Sequence, residues 1–163
     1  MKITQVKIIS GGQTGVDRGA LDGALAAGLP IGGWCPEGRL AQDGPIDEKY
    51  PLIEITGGYR QRTKKNVLES DGTVLIYFSY PVGGTELTLS LCIKEKRPYL
   101  LIDADEVSPE RAGARIRDFV EKQGINTLNV AGPSGSRDTR GYRYAFDVIQ
   151  GAQGGCLGTS SGG

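Results

Sequence analysis

Histidine is absent from the 163 residues. Its absence removes the commonest general base near neutral pH and the commonest transition-metal ligand. Cysteine is scarce. Cys35, Cys92 and Cys156 are the only three, and no pair has metal-ligand spacing. An odd count of scattered cysteines points to reduced thiols rather than a disulfide framework, and no metal site is expected. Neither sign of charge is in excess, with 19 basic and 19 acidic residues. A general nucleic-acid surface needs a basic surplus, so none is expected. No apolar run reaches membrane-spanning length, and the first residues lack a signal-peptide pattern. The expectation is a cytoplasmic protein without a membrane partner.

What is present is glycine, 26 residues of it, in a chain that is 38% hydrophobic and 23% charged. Those fractions are globular, and the length suits one domain with a real core. Short apolar runs ending in Gly-, Ser- or Pro-rich turns alternate with amphipathic segments. The pattern predicts strands over 6–10, 31–34, 73–78, 98–102 and 127–131, with a minor one over 52–55. It predicts helices over 16–28, 59–70, 84–94, 109–123 and 142–149. Residues 36–50 read as a long polar loop, a kind more often functional than accidental. A single domain over 1–150 is expected, followed by a loosely packed or disordered Gly/Ser-rich tail over 151–163.

Alternation of this kind builds a three-layer α/β fold: Rossmann-like, doubly wound, with a mainly parallel sheet and helices on both faces. Ligands in such folds sit outside the carboxyl ends of the strands. The chain puts its unusual residues there. Ser10, Gly11, Gly12, Gln13, Thr14 and Gly15 join a strand to a helix. Glycines permit close backbone approach, and free amides at a helix start favour an anion, so this turn is read as a phosphate cradle. It lacks the Lys-Ser/Thr of a Walker loop and the spacing of a dinucleotide fingerprint. The competing reading is a turn needed only for packing. Asp17 either complements the helix start or touches ligand, and Arg18 is placed to pair with a phosphate or a carboxylate.

Arg62, Thr63 and Asn66 share one face of the middle helix, as an anion-recognising face or a solvated one. Gly83, Gly84 and Thr85 form a second glycine-rich turn, with Glu86 in the first helical turn. Gly132, Pro133 and Ser134 follow the last strand. Trp34 either stacks on a flat ring or packs in the core, and Cys35 is a pterin-thiol neighbour or a small buried hydrophobe.

Several segments together resemble the putative molybdenum carrier protein family. They are the run from Gly11 to Arg18 with Ala20-Leu21-Asp22, Gly32-Gly33-Trp34-Cys35-Pro36 with Gly38-Arg39 and Asp43-Gly44, and Tyr50-Pro51-Leu52. Tyr59 with Arg62-Thr63 and Asn66-Val67, Ser70-Asp71-Gly72-Thr73, Gly83-Gly84-Thr85 with Leu87-Thr88, and Asn129-Val130-Ala131-Gly132-Pro133 complete the match. The resemblance implies a binding or carrier protein for molybdenum cofactor (molybdopterin) or a related phosphate-bearing, nucleotide-like ligand. It also implies kinship with nucleotide-binding Rossmann-like proteins that include the cytokinin-activating phosphoribohydrolases, often labelled lysine decarboxylase-like. Those enzymes use an Arg ahead of a Ser-Asp pair and a Glu after a glycine turn. Arg62 matches the Arg; Thr88 holds the Glu position, and Glu86 is two residues out of register. At about 100° per residue, that shift points the carboxylate elsewhere. Arg62 and Glu86 are thus the catalytic candidates if the chain hydrolyses a nucleotide N-glycosidic bond. A third reading is a nucleotide-sensing regulator that signals by oligomer change. Folds of this class often dimerise, so a homo-oligomer is expected.

Overall fold

The structure, a computed structural model, describes residues 3 and 5–162, with side chains up to residue 153. Its central sheet has the order β2-β1-β9-β7-β8, all parallel, from β1 (Lys7–Ile9), β2 (Ile31–Gly32), β7 (Gly72–Tyr77), β8 (Tyr99–Asp103) and β9 (Thr127–Ala131). Parallel strands need crossovers, which are supplied here by α1 (Val16–Ala26), α2 (Tyr59–Leu68), α3 (Gly83–Lys94) and α4 (Pro109–Gln123), while α5 (Gly141–Gly162) follows β9. The Rossmann-like doubly wound reading is borne out.

Side-chain alternation divides the sheet between two layers. Ile8, Val74, Ile76, Ile102, Leu128 and Val130 share one buried core with Val16 and Ala20 of α1, Ile116 of α4 and Val148 of α5. The α2 and α3 helices pack on each other through Val67, Leu91 and Cys92. Emptying a site such as Ile116, fully buried, costs about 2–5 kcal/mol by the usual cavity arithmetic. The α4 boundaries follow from local chemistry. Ser108 accepts the Arg111 amide at the N-terminus, Pro109 opens the first turn, and Gly124 closes the helix at φ 64°.

Two expectations need correction. The strand read over 31–34 is broken at Gly33, whose φ is 129° and whose missing Cβ would stand 2.1 Å from the Ser10 carbonyl. Only Gly can turn there. The first half, β2, joins the main sheet; the second, β3 (Trp34–Pro36), pairs with β6 (Ile53–Ile55) in a separate two-stranded sheet. The segment over 36–50 is also less irregular than expected, with a 3-10 turn at Glu37–Arg39 and a small hairpin of β4 (Leu40–Ala41) and β5 (Gly44–Pro45).

Residue 151, where the tail was expected to begin, falls within α5. Ala152 is buried, and Arg117 of α4 donates to the Gly151 carbonyl at 2.7 Å. The tail's side chains from residue 154 onward lie outside the described residues.

Candidate ligand-binding site

The loops after β1, β7 and β9 end at the same edge of the sheet. The helix after β9 goes to the α1 layer and the helix after β7 to the α2 layer, which opens a crevice between the two strands. A cavity of about 230 Å³ occupies it. Gln13, Asp17, Arg62, Gly84, Thr85, Gly132, Pro133 and Ser134, all singled out from the sequence, line it.

Arg62 is its buried cation. The side chain is 7% exposed and lies 3.5 Å from the equally buried Asp17 carboxylate. Its guanidinium rests on Gly11, where a Cβ would stand 1.9 Å from Nη1, and stacks on the Tyr59 ring at 4.5 Å. Arg62 Nε has no hydrogen-bond partner. A buried guanidinium N–H without an acceptor is costly. Asp17 also accepts the Gln13 amide at 3.3 Å. Burial pushes its carboxyl up to about 6, against the pull of Arg62, the Gln13 amide and Arg18.

The other cation, Arg137, was missed from the sequence. It sits in the loop after β9, three residues past Ser134, and makes no ion pair among the described residues. Its guanidinium lies against Gly83, where a Cβ would meet Nη2 at 2.9 Å. The signal for it was positional: an Arg in the loop leaving a central strand. Tyr59 presses its hydroxyl on Gly84, where a Cβ would come within 2.0 Å. Between these side chains opens the N-terminus of α3, which no side chain caps. The first amides of a helix have no intrahelical acceptor and carry its positive dipole end.

The first loop behaves differently from its expected role as a nest of free amides. Gly12 N–H donates to Ser10 Oγ, Thr14 N–H to the Gln13 side chain and Val16 N–H to the Pro133 carbonyl, while Gln13 N–H goes to Asp17. Ser10 Oγ donates to the Asp17 carbonyl, and Thr14 Oγ1 bridges Gln42 and the Gly135 amide. Gly15 packs where a Cβ would strike the Pro133 carbonyl at 2.4 Å. Most of the loop's amides are therefore consumed within the protein, and the loop presents the Gln13 side chain and Asp17 to the cavity.

Other candidates lie outside the cavity. Arg18 donates to Asp43 at 3.0 Å and to the Gly12 carbonyl, and it holds the Asp43 carboxyl below its usual range. With Arg39, which donates to the carbonyls of Ile46, Asp47, Tyr50 and Leu52, it ties down the 36–50 segment and so delivers Gln42 to the cavity. Cys35 is fully buried among Leu21, Ile46, Tyr50 and Leu52, and burial pushes its thiol up. It is the small hydrophobe rather than the reactive neighbour. Asn66 grips the backbone of Trp34 at both its N–H and C=O, and Lys65 lies over the indole. Gly11, Thr63 and Asn66 line a tiny void beneath the main cavity, and Thr63 Oγ1 has no partner there. Glu86 is exposed and does not line the cavity, whereas Thr88 does, with its hydroxyl donating to the Gly84 carbonyl. Among the described residues no three His, Cys, Asp or Glu side chains converge on one metal position, and no helix is long and apolar enough to cross a membrane.

Fold and cleft together define a Rossmann-like α/β protein whose polar crevice lies at the point where the winding reverses. Residues 8–152 match the circularly permutated YpsA SLOG family, and the chain belongs to that family. It is similar to the crystal structure of a putative molybdenum carrier protein from Syntrophus aciditrophicus SB, with 43% identity over 91% of this chain and 94% of that one, and a TM-score of 0.87. No protein of curated function matches. The family resemblance carried by the motifs is borne out.

Proposed function

We propose that the chain binds or carries a phosphate-bearing, nucleotide-like small molecule, with its phosphate at the start of α3 between Arg62 and Arg137. The observation that carries this reading is the pairing of two guanidiniums in one cavity, the buried Arg62 and an Arg137 without an ion pair among the described residues, beside an uncapped helix start. Among the described residues Asp17 is the one carboxylate that lines that cavity, so the balance favours an anion.

Molybdenum cofactor is a specific candidate, supported by the name given to the similar structure. The donor set suits its phosphate rather than its metal, because no cluster of metal-binding side chains is present among the described residues. Bound here, the cofactor's own sulfurs would hold the molybdenum, as cargo, while this chain's arginines and amides grip the phosphate. N-glycosidic hydrolysis gains nothing from the site, since Glu86 is turned to solvent. A homodimer is a further part of the proposal, motivated by the outer face of β8, where Tyr99 and Leu101 are 40% and 37% exposed.

A thermal-shift panel tests the binding role. Phosphate-bearing compounds, from inorganic phosphate to nucleoside monophosphates and pterin phosphates, are expected to raise the melting temperature, because a ligand that binds only the folded state stabilises it. Arg137→Ala, which touches no buried pair, should shrink that rise. A panel without any stabilisation contradicts the proposal.

A further inference from the structure

A second compartment adjoins the cavity. It is a trough of about 320 Å³ that shares Val82, Thr85, Pro133 and Arg137 with the cavity and continues along the end of β7. Its chemistry is different. Phe78 and Tyr80 rise from its floor and rim, Tyr80 being 68% exposed. The Arg140 guanidinium lies over Phe78, its carbon 4.1 Å from the ring centroid, and is held there by Asp138 at 2.8 Å and Asp105 at 3.2 Å. Ser79, between the two aromatics, stands at φ 75°, a conformation an L-residue adopts at a cost. It is fixed by its amide donating to Asp103 and its hydroxyl to Asp105. The bend sets Phe78 and Tyr80 beside the trough instead of continuing the strand.

Charge separates the two compartments. In the cavity two guanidiniums face one carboxylate. In the trough Arg140 is matched by two carboxylates, and Arg137 stands at the boundary. An anion is favoured in the first and not in the second. The trough offers the exposed Tyr80 ring and the exposed Arg140 guanidinium, both groups on which a flat ring can stack, beside carboxylate oxygens with spare acceptor capacity. We infer that the trough holds a flat, amino-substituted heteroaromatic ring, such as a purine or pterin, belonging to the same ligand whose phosphate occupies the cavity. One molecule then spans both compartments past Arg137. This inference rests on the proposed phosphate site. A broader groove on the other side, with Leu40 and Tyr59, is open and apolar and lacks converging charges.

Calorimetry on the full chain with inorganic phosphate, ribose 5-phosphate, AMP and GMP tests it. At least one nucleotide is expected to bind on the order of tenfold tighter than ribose 5-phosphate, the scale of one base stacked on protein. The exposed double variant Tyr80→Ser/Arg140→Ser should abolish that advantage and leave ribose 5-phosphate affinity unchanged. If ribose 5-phosphate binds and the ring adds nothing, the ring site is overturned while the phosphate site stands. The same holds if Leu40→Ser, and not the double variant, removes the advantage. If no phosphate compound binds, the underlying site falls and this inference with it.

Discussion

Asp17 and Arg62 are two charges held out of water 3.5 Å apart, each with a side chain only 7% exposed. Removing ions from water is expensive, and attraction within the pair offsets it only when the geometry is good. Here it is incomplete, because Arg62 Nε is unpartnered and Asp17 is pushed up to about 6 by burial. A folded-state value above the ordinary 3.8 means that folding favours the protonated acid. The stabilisation tied to that proton is complete below the ordinary value and is lost as pH rises through about 6. Asp17→Asn fixes the neutral form facing Arg62, Arg18 and the Gln13 and Gly11 amides. Its melting temperature should therefore gain on the wild type as pH climbs from about 4 to about 7. A difference that stays constant with pH contradicts the account. The neighbouring Arg18 illustrates a complementary lesson: a cation at a helix start is not an anion clamp when Asp43 and a carbonyl already satisfy it.

At the scale of elements, the glycines fall into two kinds that the sequence does not separate. Gly15, at φ 87°, sits where a Cβ would strike the backbone of the loop after β9, which cannot yield. Gly84 sits where a Cβ would meet only the tip of Tyr59, a side chain 47% exposed and free to swing. Gly15→Ala should lose more than about 1 kcal/mol of stability by denaturant titration. Gly84→Ala should fold as well as the wild type yet bind phosphate more weakly, because it displaces Tyr59 from the cavity; unchanged phosphate affinity contradicts this. The regular elements were legible because apolar periodicity and caps agree. The α4 helix and β9 fall where predicted, with Ser108, Pro109 and Gly124 marking the helix ends. The first loop departs from the expected nest of free amides because the acceptors that consume most of them, the Gln13 and Asp17 side chains and the Pro133 carbonyl, are fixed by three-dimensional register and not by spacing. The break at Gly33 was hidden because the close approach to Ser10 exists only in the folded chain. Arg137, in a polar stretch without periodicity, gave no signal beyond its place after a central strand.

On the scale of the whole molecule, the sheet order places β8 at one edge. Leu100 packs against the main core and Ile102 lies within it, so Tyr99 and Leu101, alternating with them, face the other way and remain partly exposed. Ile93 of α3 is 57% exposed as well. Covering such a face with a second copy removes apolar surface from water, and light scattering should then report a dimer that Leu101→Glu converts to monomer. A monomeric wild type at high concentration contradicts that arrangement. The same topology gathers the loops after β1, β7 and β9, contributed by distant stretches of the chain, around one cavity. The central claim is that this cavity receives an anion at the start of α3. Crystals soaked in tungstate, a phosphate-like oxyanion with strong anomalous scattering, test it most directly. A peak is expected within hydrogen-bonding distance of Arg137 and the Gly83 and Gly84 amides, in the cavity that Arg62 also lines. A peak seated on the first loop instead, or a cavity that stays empty while the anion binds elsewhere, would contradict it.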